Sequence, residues 1–538
     1  MMIPRSRHEF WGSLLVLSSI CAAFALAASS MNNGHIGVVH DDGLYLIGAR
    51  SLRAGSGYTL TSRPGGLRPK YPVGLPAAIA IAWKIAPGNP SLARDVALAR
   101  GVVIGSGVIF LLASYAWLRA IGCGRLASLL VVGTTAMHHV VLVGGGSTVF
   151  ADLPFAAITF LLLARTARCP RPTAWGGLVN GLLAGLGLLV RANGLSLGLS
   201  SIAASLRGRS RWPATAATFV GLVSVVGLAA TFLARVGDGF PSGDYQLELR
   251  AAWADPAVGL AGIARNLRGM AWDFPARAVL PIMSYSGVFA RARITLPALE
   301  PSLKAVTCVA LFLGIIHACR GTRRRDRTAW IHTVATLGMF AVWPWTSIMD
   351  RFLLSLLPFV ILLYALGFTE ATRLAGASGG TSQAAFIAAL LLAFAASVTV
   401  ASRSLWNFHS NGGQWAGASD KQELDSALTL IRGLEPDAVV AAHWPETVAL
   451  YTGRQAVPLV EDDDRLIARI GRVDRLAAWM RRARRRPFYL LIRRGVEDST
   501  GYDAAMARAL ESNPSMRVKL IAATPRGRYE LCTLRLAQ

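Results

Sequence analysis

The feature that most constrains this chain is a succession of uninterrupted apolar runs, most of them long enough to cross the hydrocarbon core of a bilayer. They lie near Trp11–Ser30, Leu98–Trp117, Leu126–Val143, Phe150–Leu163, Trp175–Val190, Leu195–Leu206 and Ala214–Leu233. After a long polar interval come Leu303–Ala318, Trp330–Trp345, Phe352–Phe368 and Ala384–Val400. Judged against a need for roughly 17–25 apolar residues per span, this gives about eleven transmembrane helices. The run Leu195–Leu206 is short for a span. The expected fold is therefore mainly α, a polytopic membrane helical bundle, with residues 1–402 forming the membrane domain. Trp11–Ser30 has basic flanks and an Ala-x-Ala near its end (Ala25, Ala27), so it also resembles a cleaved signal; in either case the chain just beyond it is exported.

Composition agrees: 53% of residues are hydrophobic, 16% are charged, and the mean hydropathy is +0.44. The formal charge of +25 first suggests a nucleic-acid partner. The basic residues, however, are mostly arginines in short clusters between apolar runs, as expected of loops held on the cytoplasmic side. No nucleic-acid partner is expected.

Orientation comes from those clusters. With Arg5 and Arg7 in the cytoplasm and the spans alternating, the cytoplasmic turns contain Arg119 and Arg125, then Arg165, Arg168 and Arg171, then Arg207, Arg209 and Arg211. The last such turn contains Arg320, Arg323, Arg324, Arg325 and Arg327. Every strongly basic short connection falls on one side. The long loops 31–95 and 235–301 then face outward, as does everything after Val400. The expected location is the cell's inner (plasma) membrane, multi-pass, with an extracytoplasmic C-terminal domain at 403–538. Of the cysteines, Cys532 alone falls outside, so no disulfide is expected there.

With that topology the unusual polar residues gather on one face. The first loop contains His40-Asp41-Asp42-Gly43-Leu44-Tyr45, a short amphipathic helix through Arg50 to Ala54 ended by Gly55, then Lys70-Tyr71-Pro72-Val73-Gly74-Leu75-Pro76. Later outward turns hold Gly144-Gly145-Gly146-Ser147 and Asp152-Leu153-Pro154-Phe155, then Arg191-Ala192-Asn193-Gly194, and finally Trp343-Pro344-Trp345 through Asp350-Arg351. Charges at the ends of spans are costly unless paired or solvated, so several on one face suggest a site. Interfacial anchoring competes for any single Arg, Lys or Trp, but carboxylates such as Asp41, Asp42 and Asp152 are not typical anchors.

Taken together, Asp-Asp-x-x-Tyr, the helix with Arg50 and Gly55, and Lys-Tyr-Pro-x-Gly-x-Pro resemble the first external loop of the GT-C glycosyltransferases. The nearest pattern is that of the protein O-mannosyltransferase and lipid A aminoarabinose transferase group. That family usually reads Asp-Glu-x-x-Tyr with a double proline downstream, where this chain has Asp42 and Val73. Asp152-Leu153-Pro154-Phe155 is similar to the family's second acidic motif, and Arg351-Phe352-Leu353-Leu354 before Pro358 to its Arg-Tyr-Leu-Leu-Pro element. The resemblance covers about the first 370 residues. It implies transfer of a sugar from a polyprenyl-phosphate donor to an acceptor hydroxyl of a glycan, lipid or protein, with inversion. One carboxylate takes the acceptor's proton, and basic groups stabilise the leaving phosphate.

By motif position, Asp41 matches the catalytic base, Lys70 a phosphate-binding position and Asp152 the second acidic residue. Arg191 and Arg351 are added to the donor-binding set on charge and sidedness. Asp42 is open between assisting Asp41, binding a divalent cation and beginning the helix. No cofactor is otherwise indicated. His138 and His139 read as packed or interfacial rather than as ligands, and Glu461-Asp462-Asp463-Asp464 as a solvated helix start. In the C-terminal domain, Lys421–Leu434 reads as a helix, Ala438–Ala442 as a strand and Leu466–Arg485 as a basic helix. Pro487–Ile492, Val518–Ala523 and Tyr529–Leu536 read as strands, making a small α/β domain. Its stretch Arg481–Arg486 either meets anionic headgroups or is a solvated face. A multispan transporter or flippase competes with the transferase reading, although the polar residues cluster at one face and no half repeat is evident. A glycan polymerase or ligase is a third option.

Overall fold

Among the described residues, the apolar runs fall on helices in the computed structural model. The structure describes residues 7–31, 35–37, 41–64, 69, 71–86, 88–146, 148–169, 173–206, 211–234, 256–281, 300–320, 327–342, 350–410, 418–458, 480–481, 483, 486–493 and 516–536. In chain order the helices begin with α1 (Arg7–Ser30), α2 (Asp41–Arg53), α3 (Gly74–Ile85), α4 (Leu92–Ile121), α5 (Arg125–Met137) and α6 (His139–Gly146). Next come α7 (Asp152–Arg168), α8 (Ala174–Val190), α9 (Leu195–Ser205), α10 (Arg211–Ala234), α11 (Pro256–Arg268) and α12 (Phe274–Val279). The series continues with α13 (Glu300–Arg320), α14 (Arg327–Ala341), α15 (Leu357–Leu374), α16 (Gly379–Ser410), α17 (Ala418–Arg432) and α18 (Pro445–Thr452). Six helical stretches among the described residues are long and apolar enough to cross a membrane: 11–30, 92–121, 211–231, 300–320, 351–374 and 379–410. The protein is a polytopic, multi-pass membrane protein with a small C-terminal sheet.

The chain divides into two compact units, one of Met1–Asn32, Arg100–Thr231 and Ala257–Ser410, the other of Asn33–Ala99, Phe232–Pro256 and Asn411–Gln538. In the first unit, helices approach closely where side chains are missing. A Cβ placed on Gly314 of α13 would lie 1.9 Å from the Leu363 carbonyl oxygen of α15, and one on Gly367 would lie 1.8 Å from that of Ala310. Packing of this kind, through small residues and van der Waals contact, is what holds helices together where lipid removes the hydrophobic drive. At the end of α1, the Arg100 guanidinium donates to the carbonyls of Ala28 and Met31 at 3.1 and 3.2 Å, satisfying groups the helix leaves open.

Two details depart from the simple run of spans. The run Leu126–Val143 is broken at His138, which is extended (φ −67°, ψ 126°). Its Nδ1 accepts the Val140 N–H at 3.3 Å, capping α6, which leaves Nε2–H to donate to the Arg277 carbonyl at 3.1 Å. The run beginning at Phe352 starts as a 3-10 segment (Asp350–Leu356), and α15 comes next with Pro358 in its first turn, where a missing N–H costs nothing.

In the second unit, five strands form one sheet in the order β2-β1-β3-β5-β4. They are β1 (Val439–Ala442), β2 (Gln455–Pro458), β3 (Phe488–Arg493), β4 (Met516–Ala523) and β5 (Tyr529–Leu536). β1 pairs in parallel with β2 and β3, whereas β5 is antiparallel to both β3 and β4. Every residue of β1 is buried, as a parallel strand covered on both faces requires. One face packs Leu424, Leu428 and Ile431 of α17 and Val448 of α18 against Val440, Leu491 and Leu531. The other gathers Val439, Leu490, Ile492 and Leu534 with Met480 and Ala483. The basic helix read at 466–485 and the acidic run at 461–464 fall outside the described residues, apart from 480–481 and 483.

Candidate functional site

Two clusters contain the candidate residues, one in each unit. In the second unit, α2 begins at Asp41-Asp42 and ends with Arg50 and Arg53, an arrangement that suits the helix dipole at both ends. It stops in a Schellman turn: Ser56 N–H donates to the Ser51 carbonyl at 3.0 Å and Gly55 N–H to that of Leu52 at 3.2 Å. Gly55 takes φ +75°, a conformation that glycine adopts without steric cost.

The two aspartates are held differently. Asp41 is partly exposed, and its Oδ1 accepts the Tyr71 hydroxyl at 2.5 Å. Tyr71 is fixed in turn, its ring 5.2 Å from that of Tyr45 and its carbonyl accepting the Tyr58 hydroxyl at 2.9 Å. Asp42 is wholly buried, and its Oδ1 accepts the backbone N–H groups of Gly37 and Gly43 at 2.9 and 2.8 Å. It ties Gly37 to the start of α2. The far end of the same loop is closed by Asp95, which takes a two-pronged pair from Arg53 (2.9 and 3.1 Å), has Arg50 at 3.7 Å and accepts the Trp83 indole N–H at its carbonyl. Lys70 lies outside the described residues.

In the first unit, Asp152 opens α7, is 5% exposed and accepts Nη1–H of Arg191 at its Oδ1. Arg191 ends α8 in an extended conformation, and the chain turns immediately through the 3-10 segment Ala192–Gly194 into α9. The Arg191 guanidinium sits 4.9 Å from the centre of the Phe352 ring. Arg351 lies 4.2 Å from the centre of Phe150 and 5.0 Å from that of Phe352. Phe340 of α14 stacks on Phe352, with ring centres 5.8 Å apart and planes within 6°. The structure thus gathers three of the sequence-named residues, Asp152, Arg191 and Arg351, around two phenylalanines. Arg191 pairs with the Asp152 carboxylate, and Arg351 lies over the two phenylalanine rings. Aromatic faces stabilise cations, and planar guanidinium groups match a phosphate's oxygens.

Reading of the sequence alone missed the supporting residues: Tyr71, Asp95, Phe150 and, for the C-terminal segment, Glu446. Tyr71 was available as Lys70's neighbour in its motif; no local signal marked the others. His138 and His139 are both buried, with ring centres 5.0 Å apart. No three His, Cys, Asp or Glu side chains among the described residues converge at metal-ligand spacing.

No protein-family profile matches the chain, and no curated protein matches it in sequence. Solved structures do. ArnT from Cupriavidus metallidurans, bound to undecaprenyl phosphate, superposes with a TM-score of 0.55 at 13% identity, over 97% of this chain and 98% of that one. The archaeal oligosaccharyltransferase AglB from Archaeoglobus fulgidus, in complex with an inhibitory peptide and a dolichol-phosphate, gives 0.56 at 13% identity, over 99% of this chain and 75% of that one. The Archaeoglobus fulgidus oligosaccharyltransferase tethered to an acceptor peptide gives 0.53 at 13% identity, over 97% and 74%. The chain has the fold of these two proteins.

Proposed function

We propose that this protein of the GT-C fold is a membrane glycosyltransferase that moves a sugar from a polyprenyl-phosphate donor to an acceptor hydroxyl on the non-cytoplasmic face, with inversion. The observation that carries the reading is the first loop's Asp41, a partly exposed carboxylate oriented by Tyr71 in a chain with this fold. The acceptor oxygen attacks the anomeric carbon, its proton passes to Asp41, and the carbon–oxygen bond to the phosphate breaks with its electron pair going to the polyprenyl phosphate. That leaving group needs charge stabilisation rather than a proton, and Lys70, Arg191 and Arg351 are the sequence-named candidates for that role. Asp152 holds Arg191 in place. Asp42, occupied by two backbone amides, fixes the turn and is not the base. The outward orientation rests on the arginine clusters in the short turns.

Binding of undecaprenyl phosphate to the purified, membrane-reconstituted protein tests the donor half. Loss of a charge-assisted contact costs about 1.5–3 kcal/mol, so Arg351→Ala and Lys70→Ala should each weaken binding on the order of 10- to 100-fold. Wild-type affinity in both folded variants contradicts the assignment. A cysteine replacing Asp41 should react with an impermeant maleimide in intact cells; reaction only after permeabilisation reverses the orientation.

A further inference from the structure

Within the second unit, one short helix of the C-terminal segment touches both flanks of the Asp41-Asp42 motif. Upstream, Ile36 N–H donates to the Tyr451 hydroxyl at 3.1 Å, and the Thr447 hydroxyl donates to the Ile36 carbonyl at 3.2 Å. Gly37 takes φ +96°, and a Cβ there would lie 2.6 Å from the Thr447 nitrogen. In the first turn of α2, a Cβ on Gly43 would lie 2.4 Å from that of Glu446. Downstream, Arg63 pairs with the Glu446 carboxylate and donates through Nη1 to the Ala456 carbonyl at 2.8 Å, while Ala456 N–H donates to the Ser62 carbonyl at 2.8 Å. Arg63 and Glu446 are 4% and 1% exposed.

From this we infer that Glu446 and Arg63 are positioning residues for Asp41. Their buried ion pair locks the first loop onto α18 at the point where α2 begins. Removing one partner of a buried ion pair is strongly destabilising, so loss of either side chain weakens the hold on the loop. A purely structural pair at this site would stabilise the C-terminal sheet without affecting α2. The close approach of Gly43 to Glu446 is what extends the effect to the catalytic turn. The inference rests on the reading of Asp41 as the base, and its test separates the two.

Hydrogen exchange in the full-length protein in lipid nanodiscs supplies the readout. In Glu446→Gln, protection over α2 should fall about 10-fold or more while α7 and α15 keep theirs. Arg63→Met should do the same, and the double variant should add nothing, because both changes break one interaction. Should Glu446→Gln not fold, Arg63→Lys, which keeps the buried charge but loses the fork, should loosen the same segment to a smaller extent. Unmoved α2 exchange, or additive effects in the double variant, overturns the inference. Asp41→Asn tests the base assignment through loss of glycosyl transfer, whereas Glu446→Gln tests the clamp through α2 exchange, so the two fail separately.

Discussion

Asp41 and Asp42 show how much a carboxylate's role depends on its surroundings. One is partly exposed and oriented by a tyrosine; the other is buried with backbone donors on its oxygen. The sequence pointed to the pair as a pair, through its motif, but the division of labour between them comes from Gly37 and Tyr71, which pattern alone does not place. His35 is a further case. Its Nε2 meets Asp425 at 2.9 Å, and burial holds its pKa below the usual value, with Asp425 opposing the shift. The folded ring therefore resists the proton that the unfolded chain takes up near pH 6.5. Between those two values the unfolded state binds more protons, so stability is fully present above about pH 6.5 and declines as the pH falls from there. Exchange protection at 35–37 and over α17 should accordingly be weaker at pH 5.5 than at pH 7.5. His35→Gln should flatten that dependence; an equal dependence in the variant would remove His35 as its cause.

At the level of elements, the apolar runs located the helices because period and length are local properties of sequence. What lay beyond reach were the interruptions set by tertiary partners. His138 breaks its run by capping α6 and bonding Arg277, a residue far along the chain, and the 3-10 turn at 350–356 precedes a proline whose effect on geometry the hydropathy conceals. In the C-terminal domain β1, β3, β4 and β5 were readable, whereas α18 and β2 were not; α18 packs against α17, and β2 pairs with β1. The tight crossing of α13 and α15 was equally invisible as a pair, although each glycine stands in plain sight. It predicts that Gly314→Ala, which puts a methyl group against the Leu363 carbonyl, should destabilise the protein by about 1–3 kcal/mol. Thermal unfolding in detergent measures this; an unchanged midpoint would mean that the two helices can separate at no cost.

For the whole molecule, the order of motifs along the chain pointed to the fold where overall sequence similarity is slight: 13% identity accompanies a TM-score of 0.55 with ArnT. The membrane character, the polytopic bundle and the small C-terminal sheet were all readable. The grouping of the first loop with the C-terminal segment was not, because its ties join residues such as Arg63 and Glu446 that are far apart in sequence. The central claim is glycosyl transfer with Asp41 as base, and it is tested most directly in cells. Mass spectrometry would compare polyprenyl-phosphate-linked sugars and surface glycans among cells lacking the protein, cells with the wild type and cells with Asp41→Asn at equal abundance. A well-placed base contributes roughly 10²–10⁴-fold. The Asp41→Asn cells should therefore match those lacking the protein, accumulating the same lipid-linked sugar and missing the same glycan modification. Restoration of the wild-type profile by a folded Asp41→Asn protein would contradict it.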